Sequence, residues 1–279
     1  MQNRTRVPAP GRRPIPSALP LALAAAVALA LCPAPAAAHF GMVIPSKPTV
    51  SGAADSQVDF EIKFWHPFEN VGMDLAKPVS FKLYAGGEAT DLTGELKEVK
   101  IGDRNAWTLS WKARRPGLYG FALEPQPYWE PAEDKFIVHY TKAYVDAYGD
   151  DEGWSEPLGL KTEIVPRAKP GGLYAGNTFT GRVLLDGKPV PDAEVEVEWY
   201  PGPDSRGDAP SESMVTQVVL TDAEGDFSFT PPAAGWWGFA ALTEAGYRLP
   251  QDGQEKAVEL GAVLWLYFHE FRPARAASR

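Results

Sequence analysis

The amino-acid sequence predicts an all-β protein built from two β-sandwich domains. Three observations point to this class: helical periodicity is scarce, apolar and polar residues alternate over short runs, and Gly, Pro and Asp turn signals separate those runs. The chain has 279 residues, and 44% of them are hydrophobic, which is enough for more than one packed core. We expect the domains to cover residues 39–169 and 170–272.

Residues 1–38 have the composition of a cleaved secretory signal peptide. Four arginines form a positive start, residues 18–31 are an apolar run interrupted by Pro20, and residues 36–38 are three alanines. We expect cleavage after Ala38, with His39 as the first residue of a periplasmic mature chain. No later apolar run reaches the ~18 residues of a membrane helix, so we expect no direct membrane span.

Cleavage would change both the charge and the thiol content of the protein. The full sequence has 36 acidic and 27 basic residues, a formal charge of −9, and a single Cys. The remaining 241 residues keep all the acids, 23 basic residues and all four His, which gives a charge of −13 and no Cys. The acidic balance argues against a nucleic-acid partner and favours a cation, and the lack of Cys excludes thiolate metal clusters.

The first predicted domain contains five runs that alternate as β-strands do. A proline-rich loop over residues 125–134 carries Glu130 and Glu133 and precedes the last run. Clustered Pro and Gly at 166–172 mark the domain boundary. The predicted strands are 58–66, 79–84, 106–111, 117–123 and 135–144.

The second predicted domain begins with a hairpin in which residues 179–185 run into Asp186–Gly187, a pair typical of tight β-turns. In residues 193–199 the period of two directs the apolar residues to a core and Glu194, Glu196 and Glu198 to water. The tail, 273–279, is predicted to fray. The remaining strands are expected at 214–221, 226–230, 235–242 and 257–268.

Two segments of this domain resemble the transthyretin-like modules of secreted proteins. They are residues 187–195 (Gly-Lys-Pro-Val-Pro-Asp-Ala-Glu-Val) and 221–229 (Thr-Asp-Ala-Glu-Gly-Asp-Phe-Ser-Phe). The resemblance implies an immunoglobulin-/transthyretin-like sandwich and says nothing of activity.

His39 is the residue with the most distinctive chemistry. At the start of a chain, its α-amine and its imidazole Nδ1 can close on one metal ion, and an α-amine pKa near 7.7–8.0 makes deprotonation by the metal easy. His66 ends a strand before a proline, His139 lies within a strand and His269 ends the last strand. The alternative is that His39 belongs to a frayed terminus and the other three are ordinary strand-end or surface histidines.

Five segments of the mature chain form a recognisable set: residues 39–46 (His-Phe-Gly-Met-Val-Ile-Pro-Ser), 64–67 (Phe-Trp-His-Pro), 73–78, 124–142 and 172–177. These segments resemble a periplasmic family of domains of unknown function, DUF4198, associated with nickel and cobalt uptake. The resemblance implies His39, His66 and His139 as binding residues, and a membrane metal permease or its accessory subunits as partner.

The residue chemistry agrees with that implication. Imidazole and amine nitrogens suit Ni(II) and Co(II), and also Cu(II) and Zn(II), while Glu130 or Glu133 would orient a histidine or fill an open position. The sequence has no catalytic-triad or phosphate-loop motif. We therefore expect a non-enzymatic protein that captures the ion. The alternatives are a copper histidine-brace oxidoreductase acting on polysaccharide and a metal-free carbohydrate-binding or adhesion module.

Overall fold

The computed structural model describes residues 39–149 and 152–273, and these residues form three β-sheets. The predicted all-β class is confirmed. The described residues contain one short α-helix, α1 (Glu212–Val215), and three 3-10 turns. They contain no helix long and apolar enough to cross a membrane. The predicted signal peptide and residues 274–279 of the predicted tail lie outside the described residues.

The first sheet is antiparallel and carries the start of the described chain. Along β3 (Gln57–His66), the alternate residues Val58, Phe60, Ile62 and Phe64 are buried, as the period of two predicts. Phe60 packs against Phe121 of the facing sheet at a ring-centroid distance of 4.3 Å. In spatial order the strands are β1 (Phe40–Pro45), β3 (Gln57–His66), β8 (Arg104–Lys112) and β7 (Lys97–Ile101), with β4 (Val71–Met73) paired to β3.

The second sheet has ten strands and joins the two predicted domains. Its centre is the parallel pair of β11 (Lys135–Ala147) and β19 (Gln254–Phe268), in which His139 lies opposite Gly261. The predicted boundary at 169/170 therefore separates two stretches of chain that share this sheet. The path runs β16 (Gln217–Leu220), β15 (Glu194–Tyr200), β18 (Gly235–Gln251), β19 (Gln254–Phe268), β11 (Lys135–Ala147), β9 (Gly117–Glu124), β5 (Ser80–Ala85) and β6 (Glu88–Asp91), with β10 (Tyr128–Glu130) and β2 (Thr49–Val50) paired to β11.

The third sheet covers a second hydrophobic core, which contains Phe179, Phe239 and Leu264. The predicted hairpin is present, and both turn residues, Asp186 and Gly187, have positive φ, at 51° and 72°. The strands are β12 (Thr162–Pro166), β13 (Phe179–Leu185), β14 (Lys188–Pro189) and β17 (Asp226–Phe229).

Of the three glutamates of β15, Glu194 is exposed as predicted, whereas Glu196 is half-buried and Glu198 is buried, so the prediction that this whole face lies in water was wrong. Glu198 is 2% exposed and accepts hydrogen bonds from the Thr216 hydroxyl and the Phe68 N–H. Burial raises the pKa of Glu198 to about 8 and that of Glu196 to about 7. The loop after β3 and the segment after α1 supply these contacts, and alternation within one strand carries no information on such coverage.

Candidate metal site at the start of the first strand

Antiparallel register brings two histidines together. β1 pairs with β3 so that Phe40 lies opposite Trp65, and the next step of that register places His39 opposite His66. Their ring centroids are 4.5 Å apart. Two imidazoles that are far apart in sequence therefore lie side by side at the end of the first sheet.

β1 is held firmly in the protein interior, and all six of its residues are buried. The Gly41 N–H donates to His139 Nδ1 at 3.3 Å, and the Gly41 carbonyl accepts from Trp265 Nε1 at 2.8 Å. A Cβ on residue 41 would lie 2.2 Å from Thr141 Oγ1, so the close approach of β1 to β11 requires glycine. The side chain of His39 is 12% exposed and contacts Glu130.

The hairpin of β10 and β11 supplies a carboxylate to His39. Glu130 lies opposite Lys135 next to the turn of this hairpin, and its Oε2 is 3.0 Å from His39 Nε2. The second oxygen, Oε1, accepts the N–H of Ala132 at 2.9 Å. With a side chain only 10% exposed, Glu130 is fixed in place as the acceptor for the Nε2 proton of His39.

Glu133 lies in the turn of the same hairpin and has a different environment. Lys135 Nζ contacts a carboxylate oxygen of Glu133 at 2.6 Å and one of Glu259 at the same distance. The negative charge of Glu133 favours protonation of His39 and so opposes the lowering of the pKa of that ring. The structure thus places Glu130 in contact with His39 and holds Glu133 in an ion pair with Lys135.

The imidazole of His39 is neutral at neutral pH. Burial is the largest cause of its lowered pKa, followed by the neighbouring His66, whereas Glu130 and Glu133 oppose the shift. Desolvation penalises the charged form of a histidine because the imidazolium loses its hydration. A neutral ring with Nε2–H donated to Glu130 presents a lone pair on Nδ1.

Two aromatic rings enclose this histidine. Phe64 stacks on His39 with a centroid distance of 5.5 Å and an interplanar angle of 24°, and Tyr128 approaches at 6.3 Å. Phe64 and Tyr128 also contact each other at 5.0 Å. These contacts limit the rotation of the His39 ring and keep water from most of its surface.

His139 is buried beneath β1 and contacts the edge of the same Phe64, at 5.7 Å. Burial is the main cause that lowers the pKa of His139 to about 3, so this ring is also neutral. Nδ1 accepts the Gly41 N–H, and Nε2, which has no hydrogen-bond partner among the described residues, lies over Gly261. In this arrangement His139 supports β1, and His39 and His66 form the pair.

His269 lies after β19, where it packs against Tyr174 and Tyr267. The sequence interpretation missed the enclosing rings of Phe64 and Tyr128. Phe64 lies two residues before His66 in sequence, and this proximity to a candidate ligand is the signal that could have placed Phe64 at the site.

The donors that converge on this point are two imidazoles and one carboxylate. Within residues 39–149 and 152–273, no group of three or more His, Cys, Asp or Glu side chains is arranged to hold a metal ion. Glu130 is engaged with His39 itself, so the side chains alone offer the nitrogen pair of His39 and His66. Cleavage before His39, which is predicted from the sequence alone, would add its α-amine as a third nitrogen.

These features define an all-β protein with a paired-histidine site at the buried start of its first strand. A family described as a domain of unknown function, DUF4198, matches residues 36–245, and the chain belongs to that family. No curated protein matches the chain.

Solved structures similar to the chain have very different sequences. The D0–D1 domain of Intimin is 14% identical with a TM-score of 0.25, covering 83% of this chain and 100% of that one. The fibronectin(III)-like modules of Clostridium thermocellum CbhA are 10% identical with a TM-score of 0.23, covering 85% and 100%. BcpA, the major pilin subunit of Bacillus cereus, is 10% identical with a TM-score of 0.20, covering 84% and 66%. Scores this low carry no information on function.

Proposed function

We propose that the mature chain is a periplasmic protein that binds Ni(II) or Co(II) and passes the ion to a membrane uptake system. The observation that supports this proposal is the convergence of His39, His66 and Glu130. In this arrangement two imidazoles are adjacent, and a buried carboxylate orients one of them. Metal binding requires a neutral imidazole, and the lowered pKa of His39 favours that state.

The separation of the two rings suits neighbouring positions on one ion. With a metal–nitrogen distance of about 2.0–2.1 Å, a ring centroid lies roughly 3.2 Å from the metal, and two rings at a right angle are about 4.5 Å apart. The centroids of His39 and His66 are 4.5 Å apart. This centroid separation is compatible with both rings binding one ion.

Glu130 gives His39 the protonation state that a terminal chelate needs. Because Nε2 donates its proton to Glu130, Nδ1 is the nitrogen left to bind, and Nδ1 is the one that can close a ring with the α-amine of the same residue. The proposed ligands are the amine and Nδ1 of His39 together with His66. Water or a ligand carried by the metal would fill the remaining positions.

The donor set does not by itself select the metal. Nitrogen ligands of this kind bind Cu(II) more strongly than Ni(II), Co(II) or Zn(II), following the Irving–Williams order. Delivery is therefore tested in cells: a strain lacking the protein should accumulate less nickel or cobalt at low supply, with copper and zinc contents unchanged. Equal nickel and cobalt contents in the two strains would contradict delivery.

The first experiment tests the terminal chelate. We expect the intact mass of protein recovered from the periplasm to correspond to a chain that starts at His39. A titration should then show one Ni(II) per chain, and adding one Gly ahead of His39 should weaken binding about 100-fold or more, since the amine and Nδ1 no longer belong to one residue. Unchanged affinity in the extended protein would refute the chelate.

The second experiment tests the role of Glu130 with a matched control from the same hairpin. Glu130→Gln lets an amide nitrogen face Nε2, and we expect metal affinity to fall about 10- to 100-fold, as is usual when an outer partner of a ligating histidine is lost. Glu133→Gln removes the same charge at the residue paired with Lys135, and we expect less than about a threefold change, since exposed charges contribute little. Similar losses in both variants would indicate a general charge effect and contradict orientation by Glu130.

The same nitrogen set also fits a copper histidine-brace oxidoreductase, because Cu(II) accepts an amine and two imidazoles. Peroxide-dependent release of oxidised oligosaccharides from chitin or cellulose by the copper-loaded protein would favour that alternative. A metal-free carbohydrate-binding or adhesion module would show unchanged thermal stability on addition of nickel, cobalt or copper.

A further inference from the structure

A cleft of about 670 Å³ lies at the opposite end of β3 from the paired histidines. Gln57, the first residue of β3, lines this cleft, whereas His66 is the last residue of the same strand. At a rise of about 3.3 Å per residue, roughly 30 Å separates the two places. The volume is in the usual range for a small-ligand site.

Three cations line this cleft in a chain whose overall charge is negative. They are Lys112, Arg114 and Arg115. In the part of the chain that the structure describes, none of the three has a carboxylate within ion-pairing distance, although the same chain pairs Lys135, Lys142 and Lys161 with acids. Three unpaired positive charges within four residues repel one another, so a bound anion would stabilise this cluster.

The connection between β8 and β9 fixes these side chains at the cleft. Ala113, in the middle of the cluster, is 1% exposed, and its N–H donates to the Ser56 carbonyl at 2.9 Å. Its own carbonyl accepts the Tyr148 hydroxyl at 3.2 Å. With Ala113 locked into the core, the residues on either side of it point to the surface.

Aromatic rings and polar groups complete the lining. Trp111 and Tyr119 pack edge to face with centroids 4.7 Å apart, and the Tyr119 hydroxyl donates to the Arg115 carbonyl at 2.9 Å. Thr90 and Glu88 of the strand β6 line the same cleft, as do Ser110 and a second acid, Glu95. The cleft thus combines three cations, two half-buried rings, two hydroxyls and two carboxylates.

This combination selects a ligand that carries both carboxylates and hydroxyls. Arginine pairs with carboxylate through two parallel hydrogen bonds, and aromatic rings pack on the apolar faces of sugar rings. The carboxylates of Glu88 and Glu95 can accept hydrogen bonds from ligand hydroxyls, and they repel a ligand made of closely spaced anions. We propose that this cleft binds an acidic oligosaccharide built from uronic-acid units.

Calorimetric titration of the full mature protein with trigalacturonic acid tests the proposal. We expect saturable binding of one oligosaccharide per chain, and about tenfold or greater weakening in Arg114→Gln/Arg115→Gln, where two bidentate partners are lost. The matched control is Lys77→Gln/Lys97→Gln, which removes the same charge from two exposed lysines outside the cleft and should change the affinity less than about twofold. Arg114→Lys/Arg115→Lys should recover only part of the loss, since lysine cannot bind a carboxylate in two places.

Two further ligands separate the proposal from other anions and from neutral sugars. A neutral trisaccharide of galactose should bind at least about tenfold more weakly than trigalacturonic acid, and inorganic phosphate or vesicles rich in phosphatidylglycerol should not compete with it. Equal binding of the neutral sugar would overturn the proposal. So would displacement by phosphate or vesicles, absence of trigalacturonic acid binding, or equal losses in the cleft variant and the lysine control.

Discussion

Replacement of Gly41 by alanine tests whether the close approach of β1 and β11 holds the paired histidines in place. The new Cβ would lie 2.2 Å from Thr141 Oγ1 and 3.1 Å from His139 Cβ, against about 3.5–4.0 Å for an ordinary contact. Thr141 is fully buried and its hydroxyl donates to the His139 carbonyl, so β1 must move by ~1 Å or more. Overpacking of this kind costs about 1–3 kcal/mol.

The displacement also weakens the two hydrogen bonds that Gly41 makes to His139 and Trp265. At about 0.5–1.5 kcal/mol each, their loss brings the expected destabilisation to about 2–6 kcal/mol. Denaturant unfolding followed by tryptophan fluorescence measures this change. Gly52→Ala is the control, because Gly52 has an extended backbone and no neighbour within 4 Å of the new Cβ.

We expect Gly52→Ala to remain within about 0.5 kcal/mol of the wild type. We also expect Gly41→Ala to bind Ni(II) more weakly, because a shift of β1 moves His39 relative to His66. A Gly41→Ala protein as stable as the control would refute the close approach. A destabilised protein with unchanged Ni(II) affinity would instead show that the site does not depend on the position of β1.

Two buried acids lead to further predictions. Burial raises the pKa of Glu198 to about 8, so its native protonated state is favourable at low pH and the free energy of unfolding should fall by about 1.4 kcal/mol per pH unit as pH rises from about 5 to 8. Glu198→Gln should remove that part of the decline in unfolding curves measured from pH 5 to 9, and an identical decline in the variant would exclude Glu198 as its source. Lys142→Met leaves Glu163, which is 2% exposed, without its cation at 2.7 Å and should cost about 3–5 kcal/mol. Lys161→Met, which removes the exposed partner of Asp186, should cost less than about 1 kcal/mol, and equal losses in the two lysine variants would contradict a special role for burial.

The site owes its properties to a few backbone contacts rather than to a local motif. Glycine at 41 allows β1 to reach His139, and glycine at 261 leaves room for the ring of His139 above β19. With β1 fixed in this way, the register with β3 places His39 beside His66. Burial and the neighbouring His66 lower the pKa of His39, which favours the neutral state in which an imidazole binds metals.

Most strands could be predicted from the sequence because their signals are local. The run 179–185 coincides with β13, and Asp186–Gly187 forms the expected turn, since positive φ at two successive residues is a requirement that few residue types satisfy. The strand predicted over residues 214–221 was wrong in its first part, because α1 extends to Val215 and β16 begins only at Gln217. The prediction that the glutamates of β15 face water was wrong for Glu198, because the loop after β3 covers this side chain.

The sequence by itself determined the all-β class, the turn positions and the residue types able to bind a metal, because propensity, period and ligand chemistry are properties of short segments. The tertiary structure decided which of these residues meet. Register between β1 and β3 selected the pair of His39 and His66, the β10–β11 hairpin selected Glu130 over Glu133 as the contact of His39, and β1 itself covered His139. These outcomes depend on pairing between strands distant in sequence, and the energy that sets such pairing comes from packing of whole sheets rather than from any single segment.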